Sequence, residues 1–112
     1  MKKLPNFKEA IIEEAKINKY LLCLKSNDGK AKAKFFMGWG FSLEKWNLLS
    51  QSLLQHPVEH EVIKIESNDF GKKYIVECGL STPNGYSSCI RSIWIIDDGD
   101  NVPRLVTAYP IG

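Results

Sequence analysis

Four polar side chains in the second half of the chain have the chemistry to hold a phosphodiester: Lys73, Arg91, Thr107 and Tyr109. Arginine contacts a phosphate group through two parallel hydrogen bonds, and lysine offers a compact positive charge. Hydroxyl groups such as those of Thr107 and Tyr109 add donors and acceptors. If these residues share one face of a sheet, that face is a candidate site for an anionic ligand.

Each of these residues also has a structural explanation. Arg91 can form a cross-strand ion pair with Glu77. Thr107 and Tyr109 have high β propensity and can serve only as strand residues. The sequence leaves these alternatives open.

Two further candidates lie in the first half of the chain. His56 is one of two imidazoles, with His60, at a predicted helix-to-strand corner, where it can transfer protons or simply stabilise the end of the helix. Lys32 lies in a basic stretch without acidic residues and can either approach the sheet or remain solvated.

A turn positions the sheet residues. Thr82-Pro-Asn-Gly-Tyr86 combines a proline that fixes the first turn position with a glycine that tolerates a left-handed conformation, which predicts a three-residue hairpin loop. Thr82 then lies opposite Tyr86, and Glu77 lies opposite Arg91. Residues on the same face as Val76 and Trp94 are predominantly apolar and form the predicted core, and Arg91 points to the other face.

The order of the predicted elements defines the fold class. Apolar spacings of three and four predict three helices, near residues 13–23, 30–37 and 42–56. In the second helix, Ala31 and Phe35 are predicted to face inward. A strand over 61–66, the two hairpin strands and a last strand near 103–110 follow. We therefore expect an α+β domain in which about three helices cover one face of a four-stranded antiparallel meander.

Composition limits the remaining possibilities. A chain of 112 residues with 44% hydrophobic and 25% charged residues and net charge +2 predicts a single globular domain, 1–112. No targeting segment or membrane span is recognisable, so we expect a cytoplasmic protein.

The sequence predicts neither a cofactor nor a metal site. Cys23, Cys78 and Cys89 lack ligand spacing, and the turn register places Cys78 and Cys89 on different faces, which predicts three free thiols. The acidic run 97–100 lacks the length and terminal glutamate of a calcium loop and is predicted to be a solvated turn.

Six separated motifs resemble a small bacterial domain family of unknown function, which occurs free-standing and in polymorphic toxins. The resemblance covers essentially the whole chain. The motifs are Leu4-Pro-Asn6, Lys32-Ala-Lys-Phe-Phe36 with Gly40-Phe41 and Trp46, Gly71-Lys-Lys-Tyr74, Thr82-Pro-Asn-Gly85, Arg91-Ser-Ile-Trp94 and Thr107-Ala-Tyr-Pro110. That family is distantly similar to the barnase/EndoU/colicin/RelE-like (BECR) ribonucleases.

The resemblance implies that the open sheet face holds RNA. Metal-free RNA cleavage needs a base for the 2′-hydroxyl proton, an acid for the leaving oxygen and cations for the charged phosphorane. Arg91, Thr107, Tyr109 and His56 are then the candidate catalytic residues, and Lys73 and Lys32 the candidate substrate-binding residues. The alternative is a non-catalytic module that binds a protein partner, as a toxin or immunity protein does, through the sheet face or edge.

Overall fold

Four antiparallel strands in the order β1-β2-β3-β4 form one sheet, and helices cover one of its faces. The computed structural model describes residues 2–27, 29–85 and 87–111. The helices are α1 (Glu14–Lys16, continued as a π-helical segment Ile17–Leu21), α2 (Lys30–Gly38) and α3 (Trp46–Glu59), with a short 3₁₀ turn at Phe7–Glu9. The strands are β1 (Val62–Asn68), β2 (Gly71–Ser81), β3 (Ser87–Asp97) and β4 (Arg104–Pro110). The predicted α+β class and meander are confirmed.

The hairpin register is also confirmed. Glu77 pairs with Arg91 and Tyr74 with Trp94. Gly85 has a φ of 87°, the left-handed conformation for which a glycine is needed in this loop. Tyr86, the predicted partner of Thr82, lies outside the described residues.

The core lies between the helices and the face of the sheet that carries Val76 and Trp94, both of which are 0% exposed. Arg91 follows Ile90 in β3 and therefore points to the opposite, open face, as the register predicts.

Helix α2 buries a different face from the one that the sequence predicted. Ala33 and Phe36 of α2 are buried, whereas Ala31 is exposed and Phe35 is half-buried. The prediction that Ala31 and Phe35 face inward is therefore wrong. Both pairs have helical spacing, so periodicity alone could not choose between the two faces.

The prediction of three free thiols is wrong as well, because Cys78 and Cys89 form a disulfide. Cys78 has a φ of 114° and is exposed, so it departs from the in-and-out alternation that placed it in the core. Cys89 lies opposite Gly79, and Gly79 directly follows Cys78 in β2. The bond therefore joins diagonal neighbours of the confirmed register, and Cys23 is the free cysteine.

Alkylation of the denatured protein without reductant should consequently label one cysteine, and reduction should raise the number to three. The physical reason is that a thiol in a disulfide does not react with an alkylating agent. Intact-mass measurement reads the number of adducts directly. Three adducts before reduction would contradict the Cys78–Cys89 bond.

The first ten described residues contact both edges of the sheet. Val62 N–H of β1 donates to the carbonyl of Lys2 at 2.8 Å. At the other edge, Ile11 forms an isolated parallel bridge to Arg104 of β4, and Leu105 N–H donates to the Ile11 carbonyl at 3.2 Å. We call residues 2–11 the N-terminal strap.

Arg104 reinforces the β4 end of this arrangement. Its guanidinium forms ion pairs with Asp97 at 2.8 Å and with Glu13 at 3.6 Å. The acidic run that begins at Asp97 is the turn between β3 and β4. No described helix is long and apolar enough to cross a membrane.

Candidate functional site

Arg91 and Tyr109 are neighbours on the open face of the sheet. They are opposite each other in the β3–β4 pair, and Arg91 Nη1 donates to the Tyr109 hydroxyl at 3.2 Å. On the other side, Arg91 Nε donates to Glu77 Oε2 at 2.6 Å. The ion pair that was the structural alternative for Arg91 is thus present. The Arg91 side chain nevertheless stays 35% exposed, so a ligand can reach it.

Thr107 lies two residues before Tyr109 along β4 and shares its face. Its hydroxyl is 3.2 Å from the hydroxyl of Tyr20, a residue of the π-helical segment. Tyr20 was not among the residues that the sequence predicted for the site. The structure instead places its phenol at the edge of the open face, beside two of the predicted site residues.

Two lysines flank the Tyr20 ring. The ammonium of Lys32 lies 5.1 Å from the ring centroid and that of Lys16 lies 5.3 Å from it. Such distances are typical of cation–π contacts. Lys32, predicted to bind substrate from the second helix, thus does approach the sheet.

These neighbours change the acidity of Tyr20. Burial raises the pKa of the phenol, but hydrogen bonds with Lys32 and Thr107 and the positive charges of Lys32 and Lys16 outweigh that effect. The pKa of Tyr20 is therefore lowered from its ordinary value. A tyrosine with a lowered pKa surrounded by cations is a candidate for proton transfer.

A close backbone contact positions Tyr20. Gly29, the residue before α2, packs on the Tyr20 carbonyl so tightly that an added Cβ would lie only 2.1 Å from its oxygen. Gly29 is thus required for the approach of α2 to the segment that carries Tyr20. This contact sets the distance between Tyr20 and Lys32, which lies in the first turn of α2.

The remaining sequence candidates lie elsewhere. Lys73 is on the open face but four residues from Glu77 along β2, which is about 13 Å at the rise of a strand. His56 is 1% exposed in the core, on the helix side of the sheet. The structure thus brings Arg91, Thr107, Tyr109 and Lys32 together and leaves Lys73 and His56 outside the group.

His56 belongs to a buried chain of hydrogen bonds. Its Nε2 is 2.6 Å from the Cys78 carbonyl, which can only accept, so Nε2 carries the proton. Nδ1 then accepts from the Ser92 hydroxyl at 2.8 Å, and Ser92 Oγ accepts from Trp94 Nε1 at 2.9 Å. Burial, opposed by the hydrogen bond to Cys78 and assisted by the charge of His60, lowers the pKa of His56 to about 4.

We call the group of Lys16, Tyr20, Lys32, Arg91, Thr107 and Tyr109 the tyrosine cluster. It offers a proton acceptor of lowered pKa, three cations and two further hydroxyls around the β4 edge of the sheet. Within residues 2–27, 29–85 and 87–111, no three His, Cys, Asp or Glu side chains are grouped so that they could hold a metal ion. The chemistry available to the cluster is proton transfer and the stabilisation of negative charge.

Comparison with known proteins places the chain in a family. The family model described as "Domain of unknown function (DUF6883)" matches residues 3–112. The chain belongs to this family. No curated protein matches it.

A solved structure shares the architecture. It is a chain of the contact-dependent growth inhibition toxin–immunity protein complex from Klebsiella pneumoniae 342, with a TM-score of 0.69 and 14% sequence identity. The match covers 95% of this chain and 97% of that chain. At such low identity the similarity shows a common fold.

Proposed function

We propose that the chain is a toxin-related protein that binds RNA on the open sheet face and cleaves it at the tyrosine cluster without a metal. The observation that carries this proposal is the position of Tyr20, whose hydroxyl lies 3.2 Å from Thr107 and whose ring lies beside Lys16 and Lys32. The fold shared with a chain of a toxin–immunity complex supports a toxin-related role. The BECR-like character that the sequence motifs imply is part of the same proposal.

The proposed reaction is transesterification. Deprotonated Tyr20 accepts the proton of the 2′-hydroxyl, and the 2′-oxygen attacks phosphorus. The bond to the 5′-oxygen breaks, and an ammonium of the cluster, Lys16 or Lys32, gives that oxygen a proton. The products are a 2′,3′-cyclic phosphate and a 5′-hydroxyl.

The other members of the cluster stabilise charge. Arg91 contacts the non-bridging phosphate oxygens, where charge increases in the transition state. Tyr109 holds the guanidinium through the hydrogen bond from Nη1. Thr107 holds the Tyr20 hydroxyl in place.

Incubation of the purified protein with total RNA in the presence of EDTA tests the proposal. Discrete fragments that end in cyclic phosphate are expected, because every proposed group is an organic side chain. Intact RNA under these conditions, with metal-dependent cleavage after Mg²⁺ is restored, would contradict the proposed mechanism.

Replacing Arg91 by alanine should weaken RNA binding or cleavage by about ten- to a hundredfold, because charge-assisted contacts to phosphate are lost. The melting temperature should change little. Fluorescence anisotropy with labelled RNA gives the affinity, and rising salt should weaken the wild-type complex, since phosphate contacts release counterions.

Glu77→Ala is the matched control for the other explanation of Arg91. If Arg91 serves only as the structural partner of Glu77, both variants should be destabilised to similar small extents. RNA affinity would then be unchanged in both. That result would remove Arg91 from the proposed site.

A second candidate function is binding of a protein partner by the β1 edge. Ile63 and Ile65 of β1 are 57% and 50% exposed, and Phe70 in the following turn is 77% exposed. Apolar side chains along an edge strand are typical of surfaces that accept another strand. Association with RNA that is absent in low salt or insensitive to salt would favour this function over the first.

A further inference from the structure

A cavity adjoins the tyrosine cluster between α2 and β4. It has a volume of about 500 Å³ and is lined by Ala31, Lys32, Phe35, Tyr109 and Pro110. Two of these residues, Lys32 and Tyr109, are members of the tyrosine cluster. The cavity is therefore continuous with the proposed phosphate-binding surface.

The wall that α2 contributes is apolar because of the rotation of that helix. Ala33 and Phe36 fill the core, which leaves Ala31 and Phe35 outside it and facing the cavity. A second cavity of about 420 Å³, on the side of Cys89 and Ile111, shares Phe35 and Pro110 with the first. Phe35 thus lies where two adjoining cavities meet.

The Phe35 ring is also held in place. Its centroid lies 4.2 Å from that of Trp39 in an edge arrangement and 6.4 Å from that of Phe36. Aromatic pairs of this kind restrict side-chain motion and give a defined surface. A half-buried phenyl ring packed against Trp39 and lining the same cavity as Lys32 is a suitable platform for a flat aromatic group that carries negative charge nearby.

We propose that this cavity binds the base of a nucleotide adjoining the cleaved phosphate, stacked on Phe35. The inference rests on the proposed function, because the phosphate of the same nucleotide is held by Lys32 and Arg91. A nucleobase matches the apolar wall, and the phosphate matches the cationic rim. Stacking on an aromatic side chain accepts any base, so the cavity adds affinity without selecting a sequence.

Two ligands separate the cavity from the phosphate contacts. One is a short single-stranded RNA with 2′-O-methyl groups, which cannot be cleaved, and the other is an abasic oligomer of the same length. Wild-type protein should bind the RNA more tightly than the abasic oligomer. Phe35→Ala should lower RNA affinity by about 5- to 100-fold and leave affinity for the abasic oligomer unchanged.

A second variant guards against misfolding of Phe35→Ala. Ala31→Leu fills the cavity while it removes no contact, and leucine is a good helix former. It should lower RNA affinity in the same selective way. Leu43→Ala, which truncates an exposed apolar side chain that belongs to neither of the proposed binding surfaces, is the control and should bind both ligands as wild type does.

The outcomes distinguish a failure of the base-binding cavity from a failure of the proposed RNA-binding function. If both ligands bind but Phe35→Ala and Ala31→Leu retain wild-type RNA affinity, the base-binding cavity is wrong and the RNA-binding face stands. If neither ligand binds, the proposed function fails and the cavity proposal fails with it.

Discussion

The Tyr20→Phe variant is expected to cleave RNA about 10²- to 10⁴-fold more slowly than the wild type, because a phenyl ring cannot accept the 2′-hydroxyl proton. Its melting temperature should fall only slightly, since the substitution removes only the side-chain hydrogen bonds of the Tyr20 hydroxyl with Lys32 and Thr107. Initial rates with a defined RNA and a thermal melt measure the two effects.

Tyr74→Phe is the matched control. Tyr74 is 8% exposed on the core face, so its hydroxyl is remote from the cluster, and the variant should cleave at the wild-type rate. Equal rates for Tyr20→Phe and wild type would remove Tyr20 from the mechanism. The proposed mechanism would then need a different group to accept the 2′-hydroxyl proton.

The pH dependence of cleavage reports the same group. Tyr20 acts as a base only when deprotonated, so the rate should rise as pH increases through its pKa, which lies below the ordinary tyrosine value. Lys32→Met removes a hydrogen bond and a charge that lower this pKa. The inflection should consequently move to higher pH in that variant.

Acidification is expected to destabilise the fold by about 3 kcal/mol between pH 6.5 and pH 4 through His56 alone. The folded state holds His56 neutral, with a pKa of about 4, whereas the unfolded chain takes up a proton near pH 6.5. The contribution is therefore complete above pH 6.5 and is lost as pH falls through the folded pKa. Urea unfolding at a series of pH values measures it.

The control is the pair of variants His56→Gln and His60→Gln. Glutamine does not titrate, so His56→Gln should lack this part of the acid destabilisation, while carboxylates still contribute in every variant. His60→Gln retains His56 and removes only the charge of His60, the smallest of the causes that act on the pKa of His56, so it should keep most of the wild-type loss. The same pH dependence in His56→Gln as in wild type would show that the Trp94–Ser92–His56 chain tolerates a charge.

The pairing of β2 with β3 was predictable from the sequence because the turn residues between the two strands determine it. The Pro83 and Gly85 turn sets the loop length, and the loop length sets every pair along β2 and β3, including Glu77 with Arg91. The placement of Arg91 on the open face followed from that register, whereas its pairing with Tyr109 depends on the register of β3 with β4, which this turn does not set. These contacts required no knowledge of the helices.

Tyr20 could not be predicted because its contacts join segments that are remote in sequence. The available signal was local: Lys16 lies four residues before Tyr20, so the two share one side of a helix. The approach of Lys32 depends on the packing of Gly29 against the Tyr20 carbonyl, which no sequence pattern reveals. The sequence therefore identified Arg91, Thr107 and Tyr109 on the strands and Lys32 in α2, whereas Tyr20 and Lys16 became apparent only from the structure.

Cys78 shows a different limit. Face assignment in a strand assumes extended backbone at each residue, and the positive φ of Cys78 breaks that assumption at one position. The pairing partners remain as predicted while the side chain changes its surroundings. The correct register was therefore not enough to predict the disulfide between β2 and β3.

The N-terminal strap connects the two edge strands of the sheet, β1 and β4, through backbone contacts. It hydrogen-bonds to β1 at Val62 through Lys2 and pairs with β4 at Arg104 and Leu105 through Ile11, so one short segment covers one end of each edge strand and leaves the rest of β1 accessible. Its contacts join residues far apart in sequence, Lys2 with Val62 and Ile11 with Leu105, so each of them closes a long loop of chain. Opening of this one segment would expose the Val62 end of β1 and the Arg104 end of β4 together, and resistance to aggregation therefore depends on this local equilibrium as well as on global stability.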